Sequence, residues 1–545
     1  MWRRESLWRL ERGEPRFQTL AKTKSRLESR SKKGSVVVDF LLLCERAAVG
    51  MSSARLCSGF VPRVPSRDTG HRGLRVKPSR ATARAEATGA SHDLGPAKAS
   101  SSGRHGVPHS GYHRTVGVKR PFFEGWYFRV TLPETRDNVS LIYHVYDPDL
   151  RQSQRRCAGA QVCGPGGGYL FRESPNVDAF AAEAHSLQLE MQLGDGEFYE
   201  VSEDGRRHRG RLLKSTNEDT DIWPTKKHIQ VVEWDFSVAP RIGYGGGIVS
   251  EESNRDGDSL QPDTTPSTRS QTSTAGWLSS LPVFEPHYQI LMAHGLATGS
   301  ITVDGKVTQF TNAPSYAEKN WGGAGFPSKW FWVQCNSFSG EHKGLTITAT
   351  GANRGVVLLP GVREEVAGIL IHLPDGSFFP FLPIPGGVDE NTGKRDEAAE
   401  VVWEVQPWGE WRVSAKNSLY EVEVVACIAE EDHVPGNTTV LRAPVDDTTQ
   451  GMKPSCREHF RGQIVVNMWE REGKGWGSGK RGHAVLDNVT SNVACVEVGG
   501  GAWDTPWRGT AEMKEPLSTL AGAAVDVRKV AEFVKPILGD VAPGL

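Results

Sequence analysis

The chain has 545 residues, and its 64 lysines and arginines balance 65 aspartates and glutamates to a formal charge of −1. That balance excludes nucleic acid as the main partner, because phosphate binding needs a basic excess. No run approaches the roughly 18 apolar residues of a membrane-spanning helix, and eight cysteines without a CxxC pair argue against a zinc or disulfide framework and for free thiols in a reducing compartment.

Residues 1–105 are rich in Arg, Ser and Ala and poor in aromatic residues. From Met51 to Ala90, eight lysines or arginines stand against two acids, the composition of an organelle transit peptide, with a disordered basic tail as the alternative. From Pro108 the pattern turns to short strands. His109 and His113 stand four apart in "PHSGYH", but no further ligand clusters with them, so no metal site is expected. "RPFFEGWYFRV" (120–130) sets Glu124 among Phe123, Trp126 and Tyr127. "SLIYHVYD" (140–147) has the β-branched, period-two character of a strand, and so do "LTITAT" (345–350), "YEVEVVACIA" (420–429) and "QIVVNMWE" (463–470).

Three Asp-Gly pairs lie inside "LGDGEFYEV" (193–201), "ITVDGKVTQF" (301–310) and "IHLPDGSFFPF" (371–381). Asp-Gly tolerates the positive φ of a tight hairpin, so each predicts antiparallel strands. The polar stretch 250–276 has Leu260 as its only large apolar side chain and predicts a disordered insertion, with a shorter polar insertion at 386–399. "GKGWGSGK" (473–480) lacks the spacing of a phosphate loop, and the Gly runs at 163–168, 243–247 and 499–501 lack a strand-to-helix frame, so all four predict loops. Residues 517–538, with Val527, Val530, Val534 and Leu538 at three- and four-residue spacing, predict a C-terminal amphipathic helix. No βαβ rhythm or internal repeat is visible. An all-β protein of two antiparallel barrels or sandwiches is expected.

"APSYAEKNWGGAGFPSKWFWVQCNSF" (313–338) holds seven aromatic residues around Glu318. On a strand, Glu318 shares its face with Tyr316 and Asn320, while strict alternation turns Trp321 away. A carboxylate on the apolar face of a barrel strand is costly unless it is paired or protonated. Two readings stay open for Glu318 and for Glu124: half of a salt bridge to a neighbouring strand, or a general acid whose pKa is raised by its surroundings.

These strings, with "WEVQPWGEW" and "VEVGGGAWDTPWRG", resemble the tocopherol cyclase family, plastid enzymes of vitamin E synthesis, over about 108–510. The Y-x-E-x-N-W-G element is also similar to one in carotenoid hydratases and other proteins of two lipocalin-like barrels, where the acid is aspartate. The resemblance implies two lipocalin-like antiparallel barrels, 106–322 and 323–510, then a tail at 511–545. It implies closure of a chroman ring on a prenylated benzoquinol, without a cofactor, and peripheral association with plastid lipid droplets (plastoglobules) or membrane. In that reading Glu318 is the proton donor, with Tyr316, Asn320 and Glu124 as further catalytic candidates. Trp126, Tyr127, Trp321, Trp330 and Trp332 form an aromatic box for substrate and cation. A non-catalytic prenylquinone carrier and a hydratase of an isoprenoid double bond are the rival functions.

Overall fold

The computed structural model describes residues 107–511 except 115–120, 151–154, 215–227, 248–270, 272, 275–284, 324, 357–358, 385–397, 434–437, 446–450, 473–478 and 501–504. The transit peptide, the C-terminal helix expected at 517–538 and most of the polar insertions lie outside the described residues.

Among the described residues the regular structure is strands and short 3₁₀ turns, with no α-helix. The first sheet comprises β1 (Phe123–Leu132), β2 (Asp137–Tyr146), β3 (Cys157–Gly164), β4 (Gly168–Ser174), β5 (Phe180–Ala182), β6 (Leu189–Gly194), β7 (Glu197–Val201), β8 (Arg207–Leu213), β9 (Val231–Gly243), β10 (Gly246–Gly247), β11 (His287–Val303) and β12 (Lys306–Gly322). Its order is β4-β3-β2-β1-β12-β11-β9-β8-β7-β6-β5, with β10 beside β9. The second comprises β13 (Lys329–Cys335), β14 (Thr346–Val356), β15 (Leu359–His372), β16 (Phe378–Phe381), β17 (Glu400–Val405), β18 (Glu410–Lys416), β19 (Tyr420–Ile428), β20 (Thr438–Ala443), β21 (Lys453–Glu472), β22 (Lys480–Gly499) and β23 (Trp507–Ala511). Its order is β16-β15-β14-β13-β22-β21-β19-β18-β17-β23, with β20 beside β21.

All strand pairs within the sheets are antiparallel, and the Asp-Gly hairpins fall where the sequence puts them. At Asp304-Gly305 both residues have positive φ, 48° and 81°, the backbone that a two-residue hairpin of matching twist requires. The two sheets also repeat one wiring: a four-stranded meander, then a long returning hairpin whose last strand pairs with the first.

Each sheet curls as a half-barrel around its own core. Alternation decides which side chains go in. On β1, Trp126, Phe128 and Val130 enter the first core; on β13 and β22, Phe331, Val333, Val496 and Val498 enter the second. Burying each such aromatic or branched side chain is worth roughly 1.5–3 kcal/mol.

The other faces of β1, β12, β13 and β22 meet in a seam between the sheets. Tyr316, Trp332, Leu370 and Cys495 share one apolar cluster there. Arg129, fully buried, donates to Gln334 Oε1, and Asn336 Nδ2 donates to the Ser315 carbonyl at 2.7 Å.

The polar insertion departs from expectation at its end. Thr274 is buried, its amide donates to Gln289 Oε1 at 2.9 Å, and its hydroxyl accepts from the Ile290 amide at 3.2 Å. These hydrogen bonds to a buried strand hold Thr274, near the end of a stretch that composition alone marks as disordered.

Candidate active site

A cavity of about 280 Å³ opens in the seam. Tyr288, Glu318 and Asn320 line it from the first sheet; Trp330, Trp332 and Glu497 line it from the second. The face that β12 turns to this seam carries Tyr316, Glu318 and Asn320, as period two dictates. The expectation of an acid inside a barrel is therefore corrected. Glu318 sits outside both cores, between them, because the odd-numbered Ala317 takes the inward position.

Glu318 is 9% exposed. Its Oε2 accepts two phenolic hydrogen bonds, from Tyr288 and Tyr316, both at 2.7 Å. The two hydroxyls lie 3.1 Å apart. Burial raises the Glu318 carboxyl to about 7, against the lowering effect of the two phenols, with Glu458 adding like-charge repulsion. Its hydrogen-bond partners are thus neutral donors rather than a cation. A substantial share of this group is therefore protonated near neutrality, in an aromatic-walled cavity.

Glu124 takes the opposite course. It faces the interior of the first half-barrel, where Lys319 Nζ lies 2.7 Å from its Oε1, with both side chains fully buried. His113 adds its amide at 2.9 Å and Nδ1 at 3.2 Å. Burial alone would raise this carboxyl, but Lys319 and His113 outweigh it and hold it below the ordinary range. The equivalent apolar setting expected for Glu124 is replaced by an ion pair, because β12 places a lysine one residue after Glu318, on the inward face.

The aromatic box also divides. Trp330 and Trp332 line the cavity, and the Trp330 indole N–H donates to Glu497 Oε1. Tyr127 faces the seam, with its hydroxyl 2.8 Å from Glu458 Oε1 and its ring 5.8 Å from that of Trp332. Trp126 and Trp321 are not part of the cavity wall. Trp126 packs in the first core, and Trp321 stacks on His113 at 4.1 Å with Lys319 Nζ 5.1 Å from its ring, as alternation requires.

Tyr288, Glu497 and Glu458 are the residues that sequence reading missed. Glu497 lies within the quoted "VEVGGG" and is flanked by inward-facing valines, the signal that could have found it. Its carboxyl is pushed up to about 8, first by burial and then by Glu458. One group among the described residues has atoms spaced for a metal: His144, Cys157 and Glu173, within 4.8 Å of one another across three strands. None of them lines the cavity.

The family described as tocopherol cyclase-like matches residues 120–500. A probable chloroplastic tocopherol cyclase of Oryza sativa subsp. japonica is 35% identical over 457 residues, covering 79% of this chain and 86% of that one. A chloroplastic tocopherol cyclase of Zea mays is 34% identical over 462 residues, with the same coverage. Among solved structures, a putative AttH from Nitrosomonas europaea covers 70% of this chain and 92% of its own at 11% identity and a TM-score of 0.33, too low to bear on fold or function. The chloroplastic relatives agree with the plastid expectation. By the span of the family match and the identity of these relatives, the chain belongs to the tocopherol cyclase-like family of enzymes.

Proposed function

We propose that the seam cavity closes the chroman ring of a phytylated benzoquinol, turning 2-methyl- and 2,3-dimethyl-6-phytyl-1,4-benzoquinol into δ- and γ-tocopherol. The observation that carries this reading is Glu318, a buried carboxyl bonded to two phenols and facing an aromatic-walled cavity. Its proton goes to the alkene carbon nearer the ring, and the π bond breaks to leave a tertiary cation. The phenol oxygen then forms the new C–O bond and releases its proton. No electron is gained or lost.

Trp330 and Trp332 face the cation, and each ring is worth roughly 0.5–2 kcal/mol to it. Tyr288 and Tyr316 stabilise the carboxylate that forms as the proton leaves. The volume, about 280 Å³, lies at the low end of the roughly 300–1,000 Å³ of small-molecule sites, so it suits the ring and the reacting end of the tail. Holding phenol and alkene together removes much of the entropic barrier.

Incubating purified protein with the quinol should give chromanol. A tertiary alcohol instead would mark a hydratase, and unchanged quinol a carrier. Glu318→Gln should lower turnover by about 10²–10⁴-fold, the usual worth of general acid catalysis, while the chain stays folded. Near-normal cyclisation by that variant would refute the role of Glu318. The apolar tail of such a substrate, with the 517–538 pattern, supports residence on plastoglobule surfaces. Deleting 517–545 should then abolish flotation with lipid, and unchanged flotation would sink that idea.

A further inference from the structure

Glu458 and Glu497 stand directly opposite one another on β21 and β22. Side chains opposed across an antiparallel pair project to the same face with Cβ atoms about 4.5–5.5 Å apart. Glu458 is fully buried, while Glu497 is half-buried because it opens onto the cavity across from Glu318. Two carboxylates so placed in a largely buried seam resist ionising together.

We propose that Glu458 and Glu497 form a carboxyl pair sharing one proton, and that this pair is the base that takes the phenol proton during ring closure. The inference rests on the ring-closure reading and adds the second catalytic group to it. The surroundings suit one negative charge. Arg129 of β1, fully buried, lies on the same seam face as Tyr127, and the Tyr127 hydroxyl donates to Glu458 Oε1 at 2.8 Å. Cys495 Sγ lies 3.0 Å from the same oxygen, and the Trp330 indole donates to Glu497. Cys456 of β21, also buried, and Glu318 of β12 are the remaining titratable neighbours. Burial and Glu458 both push the Glu497 carboxyl upward, which is the direction a shared proton requires.

The charges then balance throughout. At rest Glu318 is neutral, the pair carries one negative charge and Arg129 one positive. When Glu318 gives its proton to the alkene, the new carboxylate faces the cation from one wall and the pair faces it from the other. The phenol O–H bond breaks as the C–O bond forms, and its proton goes to the pair, which then holds two. One of them returns to Glu318 before the next turnover, so the enzyme is unchanged.

The full-length protein and its Glu497→Gln, Glu458→Gln and Glu497→Asp variants would be compared in cyclisation assays against pH and by infrared titration of protonated carboxyls. Glu497→Gln should lose about 10²–10⁴-fold in kcat with KM within a few-fold, and Glu497→Asp should recover part of it. Glu458→Gln relieves Glu497 of its like-charge neighbour, so the upper carboxyl titration read by infrared should move to lower pH, a readout that a merely structural role would not move. The wild-type protein should show a protonated carboxyl near neutrality that persists in Glu318→Gln and vanishes in either single variant of the pair. Wild-type kcat in Glu497→Gln, an unmoved upper carboxyl titration in Glu458→Gln, or absence of that carboxyl each overturns the proposal. The infrared readout needs no activity. A carboxyl pair without cyclisation would sink the ring-closure reading and the pair's role as base, whereas cyclisation without the pair sinks this inference alone.

Discussion

Two residues in a row set two environments on β12. Glu318 turns to the seam, where its carboxyl is raised to about 7; Lys319 turns inward and meets Glu124. The raised pKa of Glu318 fixes the direction of two pH effects. Activity depends on its protonated form, so turnover attributable to it should fall as pH rises through about 7, to be read from initial rates of chromanol formation. Stability follows the same sign. The folded state binds this proton more tightly than the unfolded chain, so stability falls as pH rises from about 4.5 and levels off above about 7. Chemical denaturation across that window should show the decline in the wild type and a flatter curve in Glu318→Gln.

The inward residue makes the opposite kind of claim. Lys319→Met leaves Glu124 buried without its main cation, a change that typically costs about 3–5 kcal/mol. The melting temperature should drop sharply, and the Lys319→Met/Glu124→Gln double variant should regain part of the loss. An unshifted melt in the single variant would show that the pair contributes little to the fold.

At the scale of elements, the cavity wall depends on close packing between neighbouring strands. Gly499 of β22 lies opposite Trp330 of β13, and a Cβ there would sit 2.0 Å from Trp330 Cζ2. Gly499→Ala should therefore displace the indole, break its bond to Glu497 and lower both kcat and thermal stability; normal values of both would mean that the ring has room to move. Strands and hairpins were the most legible features of the sequence, since alternation and Asp-Gly turns are local signals. The face of Glu318 was legible for the same reason, through Tyr316 and Asn320. What lies across from that face was not. Tyr288, Glu458 and Glu497 come from β11, β21 and β22, and only register brings them to the seam. Trp126 and Trp321 look equivalent to Trp330 and Trp332 as composition, and the strand face alone tells them apart.

At the scale of the molecule, the site exists only where two half-barrels press their outer faces together. The sequence predicts two barrels but nothing in it says that the acid belongs between them, because inward and outward faces of these strands are both apolar. The repeated wiring of the sheets was invisible for a related reason: topology survives without shared residues. Arg129 is a fully buried cation of this seam and donates to Gln334 of the other sheet. Arg129→Met should loosen the seam by a few kcal/mol, since it leaves Glu458 and its neighbours without a compensating charge. Calorimetry should show one cooperative transition in the wild type and two in this variant; one transition in both would mean that the remaining contacts couple the sheets without Arg129.

The lysine inside the first half-barrel sets a limit on how the chain can be processed. Lys319 Nζ donates to the Gly111 carbonyl at 2.6 Å, and His113 donates its amide to Glu124 at 2.9 Å, so the segment from Val107 is a plug seated on a buried charge. Trimming into it would strip the lysine of its carbonyl and open a charged interior to water. Variants starting at residue 107 should therefore fold and turn over like longer ones. Those starting at residue 115 should aggregate or be degraded, which pulse-chase measurements in isolated plastids would reveal.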